Sequence, residues 1–217
     1  MASGSVVVAT PSGAGHIVLT VPRFTPAAGS RPAALVVLGH GASGDSEAAD
    51  ILAVRDALTA VRCVVVRTIQ PYRVAGRRVP APVAQLDVAF AALVAAARTY
   101  VPVDTPLVVG GRSNGARVAA RTALGLGAAA LLALSFPLRP PRRPEVSRAG
   151  ELQGAGVPAL VLQGERDQFG TPGELAAAVD GTEVHRIQGA GHSPKPGAAL
   201  AAAAELAAAW VISQVGD

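Results

Sequence analysis

The stretch LVVGGRSNGARVAARTAL, residues 107–124, opens as an apolar run of strand length, tightens into Gly111-Arg112-Ser113-Asn114-Gly115, and continues as a helix-like segment. Glycines on both sides of a serine permit a turn sharp enough to lift the hydroxyl above the edge of a sheet. In a chain with 24 glycines the five-residue pattern G-x-S-x-G alone carries little weight. The strand ahead of it and the helix behind it are what give it meaning.

Outward from this point the chain alternates. Apolar runs of strand length at 33–38, 63–68, 107–110, 129–134, 159–162 and 183–187 are separated mostly by helix-like segments at about 47–60, 83–99, 114–124, 172–179 and 197–214. Strands that are apolar on both faces predict a mainly parallel sheet with helices on both sides. Two shorter runs, 6–9 and 16–21, flank the turn-rich residues 11–15 and predict an antiparallel hairpin at the start. The expectation is a single α/β domain over residues 1–217 with an eight-stranded, mostly parallel sheet. The proline-rich residues 136–157, with Arg139, Arg142 and Arg143, predict an irregular excursion too short to form a cap domain.

Composition narrows the function. The net charge of +4 comes almost wholly from arginine, Lys195 being the only lysine. The arginines are scattered, and two Tyr, four Phe and one Trp offer few platforms for bases, so no nucleic-acid partner is expected. Cys63 stands alone in the β-like run CVVV, which predicts a buried, inert thiol and neither disulfide nor Cys-based metal site. The four histidines are too dispersed for a metal centre, and no metal or other cofactor is expected. The first residues lack a basic flank and an apolar core of signal-peptide length, and the Ala-rich end carries Glu205. The expectation is a cytoplasmic protein with no membrane partner and an oligomeric state the sequence does not specify.

In doubly wound sheets the functional loops leave the carboxyl ends of the strands. There the sequence places Ser113 in GRSNG, Asp167 in GERDQFG and His192 in QGAGHSPKP. Each has an ordinary alternative: Ser113 as a helix cap, Asp167 as a loop cap, His192 as a surface histidine. Together, in the chain order Ser, Asp, His, they are three strand ends agreeing on one chemistry. A different chemistry is suggested by LGHGASGD, residues 38–45, where Gly39, Gly41 and Gly44 satisfy the dinucleotide pattern G-x-G-x-x-G. That reading requires an acid about 20 residues on; the following strand offers Arg67 instead, which suits at most the 2′-phosphate of NADP.

The set LGHGASGD, GGRSNGARVA, LQGERDQFG and GAGHSPKP, with PYRVAGRR between the first two, resembles the small, cap-less α/β-hydrolase-fold proteins related to dienelactone hydrolase. It is most similar to the hydrolase-like family whose eukaryotic members include subunits of a chromatin-modifying complex. The resemblance runs from about Leu35 to Trp210. It implies Ser113 as nucleophile, His192 as general base and Asp167 as the group that orients it. It also implies an oxyanion hole from the backbone N–H groups of Asn114 and Ala42, with Gly41 as the alternative second donor. The expected activity is that of a carboxylesterase, thioesterase or lactonase acting on a small acyl substrate through an acyl-serine. A non-catalytic interaction module on the same fold is the principal alternative. Gly41, Tyr72, Arg112, Phe136 and Phe169 are expected to line the pocket, with the Arg73, Arg77 and Arg78 group nearby and His40 bracing the glycine loop. Fluorescence titration with NADPH is expected to show no saturable binding; saturation at micromolar concentration, abolished by Gly41→Ala, would restore the dinucleotide reading.

Overall fold

Runs such as LVVLG and VVVRTI have no polar face, so they are stable only where both sides of the strand are covered. The computed structural model, which describes residues 2–22, 31–140, 143 and 145–216, puts these runs at the centre of one sheet. The strands are β1 (Ala2–Thr10), β2 (Gly13–Val21), β3 (Leu35–Gly39), β4 (Val64–Ile69), β5 (Leu107–Arg112), β6 (Ala130–Leu134), β7 (Ala159–Gly164) and β8 (Thr182–Ile187). Their order across the sheet is β1-β2-β4-β3-β5-β6-β7-β8. β1 and β2 are antiparallel, β2 joins β4 antiparallel, and the remaining pairs are parallel.

The period-two alternation of strand side chains divides the interior into two layers. Leu35, Val37, Val64, Val66, Leu107 and Val109 enter one core, with α3 (Val83–Arg98) and α4 (Asn114–Thr122) packed over it. Val36, Leu38, Val65, Val108 and Cys63 enter the other, under α1 (Ala49–Ala60) and α7 (Ala198–Val215). Burial raises the Cys63 thiol to about 11, so it stays protonated among apolar neighbours. α7 is long and apolar enough, by length and composition, to cross a membrane. Here Leu200, Ala203, Ala207 and Val211 lie in the core against the sheet and α1.

The structure differs from the sequence expectation in three places. The hairpin is longer: β2 begins at Gly13, with Thr10 paired to Gly13 across a two-residue turn. A Cβ at Gly15 would lie 3.0 Å from both the Ile69 carbonyl and Leu93, so this glycine, read as a turn residue, instead admits close packing of α3 and β4, while Gly13 at φ 109° stays in the turn. A one-turn helix, α2 (Pro71–Val74), follows β4 with proline at its start. The excursion at 136–157 is not wholly irregular: it contains α5 (Ala149–Gln153) and buries Leu138, Leu152 and Ala155. Arg142, one of its three singled-out arginines, lies outside the described residues. α6 (Pro172–Ala178) is closed at its start by a capping box in which Thr171 and Glu174 satisfy one another's backbone N–H groups.

The site is positioned by a backbone contact. α4 begins so close to the end of β3 that a Cβ on Gly115 would stand 2.4 Å from the Gly39 carbonyl oxygen and 2.7 Å from that of His40. Gly111 is equally confined, its Cβ position lying 2.5 Å from the same Gly39 oxygen. Backbone atoms of packed elements cannot yield as a flexible side chain does. Gly115→Ala is therefore expected to cost at least ~2 kcal/mol in chemical denaturation, whereas Gly125→Ala, where a Cβ meets nothing within 4 Å, should stay within about 0.5 kcal/mol of the parent.

Candidate active site

Ser113 sits between β5 and α4 at φ 52° and ψ −111°. A non-glycine residue held there costs about 1–3 kcal/mol, which the surrounding structure must offset. The Ser113 N–H is fixed by donation to the Leu134 carbonyl at 2.8 Å. The hydroxyl makes no helix-capping bond. It lies 3.0 Å from His192 Nε2, and His192 Nδ1 lies 2.8 Å from Asp167 Oδ2. An ionised carboxylate only accepts, so the proton belongs on Nδ1 and Nε2 is left to accept from the serine hydroxyl.

The Asp167 side chain is fully buried, and burial of a carboxylate demands partners. Oδ2 also accepts from Gln163 Nε2 at 3.0 Å, and Oδ1 accepts from the Phe169 N–H at 2.9 Å. The loops bearing Asp167 and His192 are joined by a second close approach, since a Cβ on Gly164 would lie 2.3 Å from the Gly191 oxygen. The Phe169 ring meets the His192 imidazole edge to face, with centroids 4.5 Å apart. Three residues read from three distant strand ends thus form one hydrogen-bonded row.

The glycine loop after β3 has its own order. His40 is buried; its Nδ1 bonds the Gly41 carbonyl at 2.6 Å and its Nε2 accepts from the Gln70 N–H at 3.0 Å. The Gly44 N–H also donates to the Gly41 carbonyl, and the Tyr72 hydroxyl donates to the Ala42 carbonyl at 3.0 Å. Burial raises the Tyr72 phenol to about 12, which keeps it a donor. With the Gly41 carbonyl pinned inward and all described peptides trans, the N–H of Ala42 in the same peptide points the opposite way. Ala42 and Asn114 both line the cleft beside Ser113 and His192. Among the described residues neither N–H donates to another group of the protein. Gly41 does not line that cleft, although a Cβ on it would lie 3.7 Å from the Ser113 Cβ.

Three expected pocket residues are placed elsewhere: Gly41, which lies outside the cleft lining, and two aromatic residues. Tyr72 is buried under the glycine loop as its brace. Phe136 is fully buried in the core beneath α4, where a large ring removes more apolar surface from water than at a cleft wall. Pro137, the next residue, reaches the cleft instead. Phe169 does line it. Arg112 does too, but its guanidinium is engaged by Asp50, the His192 carbonyl and Ser193. Arg67 is likewise committed, donating to the Ser46 carbonyl at 3.1 Å and to Glu47 at 3.3 Å.

The cleft has a volume of about 510 Å³. One wall, Pro80, Ala81, Val83 and Leu86, was not anticipated from the sequence, where Leu86 reads only as one apolar position in a helical repeat. Facing residues include Arg117 and Arg148. Arg117 is held in a two-pronged pair with Glu151. Arg148 makes one bond, to the Pro137 carbonyl at 3.3 Å, and among the described residues has no carboxylate partner. Burial, with the charges of Arg117, Arg121 and Arg143 nearby, lowers its pKa.

Residues 32–215 match the family described as alpha/beta hydrolase domain, and the chain belongs to that family. Its fold is that of cap-less members. Est1E from Butyrivibrio proteoclasticus superposes with a TM-score of 0.77 at 16% identity, covering 99% of this chain and 100% of its own. A serine hydrolase without lid from Xanthomonas campestris gives 0.67 at 18% identity, covering 98% and 93% respectively. Dienelactone hydrolase from Anabaena variabilis gives 0.73 at 16% identity, with 98% and 97% covered. No curated protein sequence matches the chain.

The His40 brace has a consequence for pH. Burial lowers the His40 pKa below its unfolded value near 6.5, so in the window just below that value the unfolded chain binds the proton and the folded chain does not. Stability therefore rises with pH there and falls as pH drops, by at most about 1.4 kcal/mol per pH unit. Urea midpoints are expected to fall between pH 7 and pH 5.5, with a shallower fall in His40→Asn.

Proposed function

We propose that the protein is a serine hydrolase of ester-type bonds that works through an acyl-serine. The observation that carries this reading is the row Ser113 Oγ, His192 Nε2, His192 Nδ1, Asp167 Oδ2, with separations of 3.0 and 2.8 Å, opening onto a cleft lined by Ala42 and Asn114, whose N–H groups donate to no other group among the described residues. A serine hydroxyl is a weak nucleophile until an adjacent imidazole takes its proton, and Asp167 keeps that imidazole in the accepting tautomer and stabilises its protonated form. Attack on the acyl carbon places negative charge on the carbonyl oxygen. The N–H groups of Ala42 and Asn114 are the donors for it, each worth about 3 kcal/mol of barrier. His192 then returns the proton to the leaving group. Water, activated by the same imidazole, releases the acid from Ser113.

The cleft suits a small acyl group on the apolar wall of Val83 and Leu86, and Arg148, which among the described residues makes no ion pair although Glu151 lies near it, favours an anionic one. Est1E, which is similar to this chain in fold at 16% identity, is described in one structure as bound to ferulic acid, a small carboxylic acid, and that supports a substrate of this size.

The test is turnover of p-nitrophenyl acetate together with fluorophosphonate labelling. One adduct is expected, on Ser113, and Ser113→Ala should lower kcat/KM by on the order of 10⁴-fold or more. A well-folded protein that neither turns over the ester nor takes the label would instead be an interaction module on a hydrolase fold.

A further inference from the structure

Arg112 directly precedes Ser113, so its backbone is part of the turn that presents the hydroxyl. Its side chain runs to the other half of the row. Nη2 donates to the His192 carbonyl at 2.8 Å and to Ser193 Oγ at 2.6 Å, while Nε donates to Asp50 Oδ2 at 3.0 Å. Both members of the ion pair are buried. Asp50 belongs to the first turn of α1 and also accepts from the Ile51 N–H at 3.0 Å. Burial raises the Asp50 pKa and the Arg112 charge opposes that rise. Burying such a pair brings little net stability, because desolvation offsets the attraction. What it does supply is fixed geometry: a planar guanidinium with several donors holds three acceptors in one plane. The glycine loop is shaped around it, since a Cβ at Gly41 would stand 3.0 Å from Arg112 Nη1.

We propose that Arg112 is a positioning residue, a strut anchored on Asp50 that fixes the His192 main chain relative to Ser113 and so sets the distance across which the proton moves. Asp167 and Phe169 orient the imidazole ring, but they act on the side chain alone. Arg112 grips the backbone from which that side chain hangs. Its other end is covalently continuous with the nucleophile, so the same residue fixes both ends of the Ser113–His192 separation. This assignment rests on the hydrolase reading for its kinetic consequence, though not for its geometric one.

The experiment compares Arg112→Lys and Asp50→Asn with the parent. Lysine keeps the charge but cannot satisfy Asp50, the His192 carbonyl and Ser193 together; asparagine keeps an acceptor for Nε and loses the charge. Kinetics use p-nitrophenyl acetate, folding is followed by thermal melting, and the His192 Nδ1 proton is followed by its low-field NMR resonance, assigned by its loss in His192→Ala. Arg112→Lys is expected to lower kcat by on the order of 10²-fold with KM changed about twofold or less. Asp50→Asn should give a smaller loss of the same kind. In both, the low-field resonance should broaden or shift while the protein remains folded. Lower melting temperatures with kcat per folded molecule and the resonance unchanged would reduce Arg112 to a structural ion pair and overturn the proposal. If the parent neither hydrolyses the ester nor labels with fluorophosphonate, the hydrolase reading fails by itself. The resonance then decides the strut: unchanged in Arg112→Lys it is overturned, altered it is upheld.

Discussion

The contact between the end of β3 and the start of α4 governs the candidate site. Gly39, Gly111 and Gly115 bring two main chains so close that Gly111 and Gly115 have no room for a methyl group and at Gly39 one would press on the Gly115 Cα at 3.2 Å. That approach allows β5 to turn directly into α4 with Ser113 at the apex and at positive φ. It also puts the loop after β3 beside the first turn of α4, so that Ala42 and Asn114 come to one cleft. The glycines of the dinucleotide-like pattern thus have a mechanical task. Gly39 admits α4, Gly41 clears Arg112, and Gly44 adopts φ +77° where the Arg73 side chain lies against it.

Around this contact, the polar groups are arranged so that orientation is set by several partners at once. Asp167 accepts from His192, Gln163 and the Phe169 N–H. His192 is held at its ring by Asp167 and Phe169 and at its carbonyl by Arg112. His40 and Tyr72 hold the carbonyls of the glycine loop inward, and the trans peptide turns the Ala42 N–H outward as a consequence. An unpaired buried charge or amide costs more than any one of these bonds returns, which favours linking the charged groups around the site into sets. Arg117, Arg121, Asp87 and Glu151 form another such set, tying α3, α4 and α5 together beside the cleft that Arg117 helps to line.

Where sequence reasoning went astray, it had equated nearness to a strand end with access to the cleft. Tyr72 and Phe136 both follow strands at their carboxyl ends, yet both rings turn inward. A residue after a strand can reach either the cleft or the core, and an aromatic ring gains more from the core. The same ambiguity concealed the wall at Pro80 to Leu86: Leu86 has helical spacing whether it faces the sheet or the cleft, and the loop before it has no periodicity. The short helix α5 was hidden by the prolines around it, because its few residues are ordered by Arg117 and Arg121 holding Glu151 rather than by local propensity.

The sequence by itself determined the alternation of strands and helices, the mainly parallel sheet with an antiparallel hairpin at the start of the chain, and the order Ser113, Asp167, His192 at three strand ends. These are legible because hydrophobic periodicity and turn chemistry are local properties of the chain. Only the tertiary structure decided that Asp50 on α1 pairs with Arg112, 62 residues further on, and that Arg112 in turn grips the carbonyl of His192, 80 residues beyond it. It also decided that Ala42 and Asn114 come to the cleft and that, of the arginines lining it, Arg148 has no carboxylate in ion-pair contact among the described residues. Such pairings depend on distances set by packed helices and crossing backbones, and residue type and spacing along a chain do not encode those distances separately from the fold.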